Sequence, residues 1–538
     1  MCKLINTPNE QHMNYIELFA GCGGLSLGLE KAGFDLLMAN ELSPMAAETF
    51  AYNHCHEDLR GLADTNGKAE NTLWLSSQFI DLKSRLRENP FSYPSLGQGV
   101  CDLPKDPNDV KGKMVVGNLI QLNEFLSENP KYVKALKSGF GAWGLDLISG
   151  GPPCQSFSLA GMRKKDCDKN SLPWEFANFV EILNPKFALL ENVTGILRPF
   201  KEDGVSYHAW FEVAKTFAGK GYVPLCLHIN ARLVGVPQNR PRFIMIAVRH
   251  NIISKLSKGF NESEKELFKE SIALYKAIKK GEEPELGECG FNYFDANKAE
   301  GRTIFKETFL SHLVEYEESD QVSVEHALDD LKINNPSKSS KYVRDLNSTF
   351  NKLLDETKEL NNHELRSNSP LVQRRFRLYQ IMQDVGKPFA KEIFSILKGE
   401  SARLTDQAWS SFSKYEYLNE DGNDFRFDQK IEFVKYLQNH PTKKQTQKAL
   451  IAKEPAPAAL SIPDDACHYD YHELRTLTVR EMARIQSFPD DFVFRSKITT
   501  GGQMRRFEVP QYTQVGNAVP PLLGVALGDV IRKLLSAK

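Results

Sequence analysis

The chain predicts an α/β fold around a mostly parallel sheet, and three observations lead there. Short apolar runs alternate with helical stretches from residue 15 to 250, the pattern of parallel strands buried on both faces. A glycine-rich turn links the first strand to the first helix, and near residue 251 the alternation gives way to charged helical segments. Two lobes are therefore expected, 1–250, with a polar insertion at about 57–113, and 251–499, followed by a closing segment over 500–538.

In order, YIELFA (15 to 20) reads as a strand, Leu25 to Ala32 as an apolar-periodic helix and LLMAN (36 to 40) as the second strand. The stretch from His54 to Gly117 is polar and carries turn signals at Asn66-Gly67 and Pro104 to Pro107, the marks of an insertion between periodic segments. LDLISG (145 to 150), a helix from Trp174 to Leu183, FALLENV (187 to 193), a helix from Trp210 to Ala218, YVPLCLHI (222 to 229) and RFIMIAV (242 to 248) resume the alternation. Residues 251 to 470 show no internal repeat. They are followed by HELRTLTVREMARIQSFPDDF (472 to 492), QYTQVGNAVPP (511 to 521) and a closing helix from Leu522 to Leu535.

Composition excludes several classes. At 538 residues the chain exceeds one typical core. No apolar run approaches the ~20 residues of a membrane span, and the polar start lacks the apolar centre of a secretory signal, so a cytoplasmic protein is expected. Nine cysteines without a CxxC pair argue for reduced thiols rather than a disulfide framework. With a net charge of -1, any nucleic-acid surface must be local.

FAGCGG (19 to 24) follows a strand and opens a helix, so its glycines permit a tight turn and close approach of a ligand to a helix N-terminus. Glu41, at the end of the second strand, is placed to accept hydrogen bonds from ribose hydroxyls. A nicotinamide enzyme would share this geometry. In DLISGGPPCQSFS (146 to 158) a cysteine stands just past a buried strand, at the sheet edge where open α/β proteins bind ligands. Pro152 and Pro153 fix two φ angles and hold the Cys154 thiol in a set direction. A free cysteine is ordinarily a small buried hydrophobe, but the GGPP loop at a strand end favours a nucleophile. Glu191, closing the next strand in ENV, should reach the same edge.

GPPCQSFS, with FAGCGG upstream and ENV downstream, resembles the C5-cytosine DNA methyltransferase family of bacterial restriction-modification systems. The resemblance implies a Rossmann-like sheet dependent on S-adenosyl-L-methionine, a variable target-recognition domain over 251–499, a segment 500–538 that returns to the catalytic domain through QVGNAVPP, and methylation of carbon 5 of a cytosine extruded from double-stranded DNA. Cys154 would be the covalent nucleophile and Glu191 the group at ring nitrogen 3. QNRPR (238 to 242) resembles the family's Gln-x-Arg-x-Arg motif, so Arg242 would meet the cytosine carbonyl and Arg240 would organise the pocket. Phe19, Gly21, Gly23, Glu41, Leu42, Asn118, Leu119, Pro153, Leu172, Asn517 and Val519 would contact the cofactor. Arg475, Arg480, Glu481 and Gln486 would serve as scaffold. Two departures bear on cofactor affinity: Gly117-Asn118-Leu119 replaces Gly-Asp-Ile, and Asp168 to Ser171 replaces Asp-Pro-Arg-Gly.

Two clusters in the variable domain could bind phosphates, Arg374, Arg375 and Arg377 around Phe376 and Lys443, Lys444 and Lys448, although a charge run is more often simply a solvated face. A cognate endonuclease encoded nearby would suit such an enzyme, and a monomer is expected. No metal is expected, since NHCHE (53 to 57) cannot close a zinc tetrahedron alone. Cys22 lacks the flanking prolines of Cys154. Two other readings stand beside the main one: a transfer-RNA-methylating branch, disfavoured by the large variable region and the lack of a Cys-Phe-Thr signature, and a silent DNA-binding regulator, disfavoured by intact Cys154, Glu191 and Arg242.

Overall fold

A computed structural model describes residues 13–141, 144–153, 171–202, 205–350, 359–442, 447–458 and 460–537. The sheet that organises them is built from β1 (Met13–Leu18), β2 (Phe34–Glu41), β3 (Thr72–Trp74), β4 (Lys113–Val116), β5 (Leu147–Gly150), β6 (Phe187–Val193), β7 (Tyr222–Asn230), β8 (Pro241–Arg249) and β9 (Phe294–Asp295). Their order is β9-β7-β8-β6-β5-β1-β2-β4-β3. Only β8 runs antiparallel to its neighbours, β6 and β7. The link from β7 to β8 is too short for the crossover a parallel pair requires.

Strand alternation divides the apolar residues between two faces. Ile16, Ile148, Leu190 and Phe243 join one cluster, packed by α3 (Leu119–Glu128), α4 (Leu172–Leu183) and α5 (Ala209–Gly219). Tyr15, Leu147, Leu189 and Ile244 join the other, covered by α1 (Gly24–Lys31), α6 (Glu262–Lys279) and α11 (Pro521–Ser536). Phe305, Phe309 and Leu313 belong to this second cluster, so the chain stays on the sheet well past residue 251. A separate cluster forms between α7 (Pro370–Val385), α8 (Lys387–Leu397) and the chain as far as Leu474. Between them lies a third, from α9 (Val479–Ile485) and α10 (Gln511–Asn517) together with Cys22.

The insertion after α2 (Pro44–His54) supplies β3 as a further edge strand, and Leu59, Trp74, Leu82 and Leu86 pack with Phe50 and Met114. At the other end, α11 lies along α1 at a crossing of two glycines. A Cβ on Gly28 would sit 2.5 Å from Gly524 Cα, so only glycine permits the approach. Among the described residues no helix is long and apolar enough to cross a membrane.

Candidate active site

From β1 the chain proceeds to β2 on one side and later to β5 on the other. Such a reversal opens a crevice beyond the carboxyl ends of the strands. The turn after β1 enters it with Phe19, Gly21 and Gly23 at φ 55, 57 and 94°. Glycine adopts this region freely, whereas Phe19 does so at some conformational cost. Glu41 ties the turn to β2: its Oε2 accepts the Gly21 N–H at 2.9 Å and its Oε1 the Ser43 N–H at 2.8 Å. Burial raises the Glu41 pKa against these two donors. Leu42 follows directly.

Asn118 caps α3, its Oδ1 accepting the Ile120 N–H at 2.8 Å, and the buried Leu119 opens that helix. The Gly117 N–H donates to the Glu41 carbonyl, so the two strand ends are in contact. Leu172 is the first residue of α4. Val519 is buried in the apolar cluster beneath α1, whereas Asn517, ending α10, is exposed.

Across the crevice, Glu191 and Arg242 form an ion pair of 2.6 Å between Oε1 and Nε. Strand register explains the meeting. Glu191 stands opposite Ile244, and Arg242, two residues away, projects from the same face as its diagonal neighbour. Both side chains are about nine-tenths buried. Burial disfavours the Arg242 charge, and Glu191 offsets part of that penalty. The loop after β5 lies against the pair, since a Cβ on Gly151 would stand 2.8 Å from Glu191 Oε2. Asn192, on the opposite face, donates from Nδ2 to the Pro152 carbonyl at 2.9 Å. Pro153 is exposed at the loop head. Cys154 lies outside the described residues, as do Asp168 to Asn170.

Arg240 has a different task. Alternation puts it on the face of Arg242, but its guanidinium donates to the carbonyls of Gly516 (2.8 Å), Ala518 (2.9 Å) and Ala458 (3.3 Å). It therefore anchors the returning C-terminal motif, while standing near enough to Arg242 and Glu191 to feel both charges. Cys22 is buried, its thiol directed to the Gln514 carbonyl at 3.6 Å, and burial pushes its pKa up. Both effects disfavour a nucleophilic thiolate there. Sequence reasoning did not single out Asn192 or Gln514. The Gln514 side chain accepts from Thr49 Oγ1 at 2.6 Å and donates to the Val509 and Met45 carbonyls. Asn192 was readable as the middle residue of ENV; nothing marked Gln514 beyond its place in QVGNAVPP.

The model of C-5 cytosine-specific DNA methylases matches residues 13–75 and 134–533. The chain belongs to the C-5 cytosine-specific DNA methylase family. This methylase is 25% identical over 529 residues to the type II methyltransferase M.DdeI of Desulfomicrobium norvegicum, covering 96% of this chain and 88% of that one. It is 24% identical to M1.HphI of Haemophilus parahaemolyticus, over 97% of this chain and 87% of the relative. In fold it is similar to the solved structure of a prophage-encoded Escherichia coli protein described as a DNA modification methyltransferase. That similarity has a TM-score of 0.50 at 19% identity and covers 97% of this chain and 99% of that one.

In the methylase scaffold, Arg475 makes two parallel bonds to Glu481, at 2.8 and 2.7 Å, and a third to Glu473 at 2.6 Å. Arg480 donates to the Pro489 and Phe492 carbonyls, and Gln486 is fully buried beside them. Of the three arginines of α7, Arg374 and Arg375 stay partly exposed and only Arg377 is withdrawn from the surface. Phe376 and Arg377 are buried, and Arg377 pairs with Asp424 at 3.0 Å while stacking on Tyr471. Arg374 donates to His440 and Arg375 to the Pro441 carbonyl. Arg377 is thus committed to holding the lobe together. Lys448 is exposed, and Lys443 and Lys444 lie outside the described residues.

Proposed function

We propose that this methylase transfers a methyl group from S-adenosyl-L-methionine to carbon 5 of a cytosine turned out of double-stranded DNA, through a transient bond from Cys154 to carbon 6. The observation that carries the reading is the buried Glu191–Arg242 pair beside the loop head of Gly151 to Pro153. In duplex DNA the target carbon is stacked, and extruding the base costs about a few kcal/mol.

The residues present suit the cofactor. The left-handed turn at Gly21 and Gly23 leaves backbone free of Cβ atoms at the start of α1. Glu41 supplies a carboxylate, Asn118 an amide, and Phe19, Leu42, Leu119 and Leu172 apolar surface. Pro153, Asn517 and Val519 would complete the contacts. When bound, S-adenosyl-L-methionine supplies an electrophilic methyl group. In the reaction itself, the Cys154 thiolate adds to carbon 6 while Glu191 hydrogen-bonds or protonates nitrogen 3, which makes carbon 5 electron-rich. Arg242 keeps Glu191 in place and offers N–H donors to the base carbonyl, a task suited to a planar, always charged group. After methylation, a base removes the carbon 5 proton, the electrons return to the ring and the cysteine leaves.

Since its relatives are named as type II methyltransferases, we assign the protein to modification of host DNA alongside a cognate endonuclease. Tritiated S-adenosyl-L-methionine, incubated with genomic DNA or transfer RNA, tests the reading. Label in 5-methylcytosine of DNA that disappears with Cys154→Ala supports it. Label confined to RNA, or none with cofactor binding intact, rejects it.

A further inference from the structure

The family match omits residues 76–133, and most of that gap is the ordered insertion between β3 and β4. Its frame is polar and largely hydrogen-bonded within itself. Ser77 and Val100 exchange two backbone hydrogen bonds, Asp102 accepts from the Trp74 N–H and from Arg85, and the buried Glu88 accepts from Ser77 and the Gln78 N–H. The frame presents Tyr93 and Pro94 to two separate parts of the crevice. Tyr93 Oη donates to the Leu42 carbonyl at 3.2 Å. Gln121, in the first turn of α3 after Asn118 and Leu119, donates from Nε2 to the Pro94 carbonyl at 3.3 Å.

We infer that this insertion is a clamp on the cofactor pocket, with Tyr93 the positioning residue that holds the Leu42 segment against the start of α3. The inference rests on the reading that Glu41, Leu42, Asn118 and Leu119 hold the nucleoside end of the cofactor. Two adjacent insertion residues grip the loops after β2 and β4 from outside, so the spacing of those loops depends on a segment that contributes nothing to the reacting atoms. A pocket held rigidly loses less on ordering when its ligand binds.

The test is steady-state kinetics on full-length Tyr93→Phe, Gln121→Ala and Glu41→Ala, with a thermal unfolding curve for each. Tyr93→Phe deletes one hydroxyl donor and is expected to raise KM for S-adenosyl-L-methionine about three- to tenfold, the value of one hydrogen bond. Its kcat at saturating cofactor and KM for DNA should stay within about twofold, and Gln121→Ala should repeat the pattern. An unchanged cofactor KM in both clamp variants, while Glu41→Ala raises it, would overturn the clamp and leave the pocket reading standing. No change with Glu41→Ala either would reject that reading and the clamp with it. A lowered unfolding midpoint at constant cofactor KM would make Tyr93 merely structural.

Discussion

Glu191 and Arg242 meet at 2.6 Å as diagonal neighbours on antiparallel strands, nine-tenths buried, with the backbone of Gly151 against the carboxylate. An ion pair so placed stabilises poorly relative to apolar residues but costs about 3–5 kcal/mol to break from one side. The pair joins chemistry to folding.

Glu191→Gln keeps the shape, removes the titrating group and leaves Arg242 without its counter-charge. Methyl transfer should fall about a hundredfold or more, with the cofactor dissociation constant within about threefold of wild type. Near-normal turnover would remove Glu191 from the chemistry.

Asn192→Ala should act on the nucleophile's loop, because it frees the Pro152 carbonyl held at 2.9 Å. A small displacement of a positioned group lowers the rate steeply, so kcat should drop about tenfold while DNA binding, measured by gel shift, is retained. A normal kcat would mean that the two prolines suffice.

Arg240→Ala leaves the Gly516 and Ala518 carbonyls without their donor. Hydrogen bonds from a charged donor contribute about 1.5–3 kcal/mol, and the segment they hold packs beneath α1. Both the unfolding midpoint and cofactor affinity should fall together. Loss of turnover with both unchanged would assign Arg240 to the substrate instead.

Gly28→Ala places a methyl group inside the Gly524 backbone, where no side chain can move away. Overpacking of this kind costs about 1–3 kcal/mol. Urea denaturation should show the loss, and Gly524→Ala should show a similar one.

His468 gives a pH dependence. Its Nδ1 accepts the Asp470 N–H at 3.1 Å, and Nε2 lies 4.0 Å from Glu481. Burial lowers its pKa to about 4, with Arg475 adding to the effect and Glu481, Glu473 and Asp470 opposing it. The unfolded chain takes up this proton at about pH 6.5. The contribution to stability is therefore full above that value and is lost as pH falls toward 4. Urea midpoints between pH 7 and 4.5 should decline less steeply in His468→Gln than in wild type; equal slopes would exclude His468 as a source.

The sheet was readable because burial on both faces writes continuous apolar runs into parallel strands. Three strands escaped: β3 and β9 are edge strands of three and two residues with no such signature, and β4, four residues long, lies at the end of the stretch that reads as a polar insertion. Helix α6 carries an apolar face that sequence alone could assign to either lobe; its contact with the sheet cluster decided the matter. On α7, Arg374 to Arg377 read as a solvated basic run, but the helix turns Phe376 and Arg377 inward, where Asp424 and Tyr471 meet the charge.

By itself, the sequence determined the fold class, the family and the residue types capable of the chemistry, because each is carried by local spacing: a glycine turn after a strand, a proline-braced cysteine, a carboxylate closing the next strand. Tertiary structure alone decided which partner each side chain takes. Glu41 binds the Gly21 and Ser43 amides, Arg242 turns to Glu191, Arg240 reaches the C-terminal carbonyls, and Tyr93 reaches Leu42. Most of these bonds join segments far apart in the chain. Their existence depends on strand order and register, which place distant residues on one edge and which no local periodicity encodes.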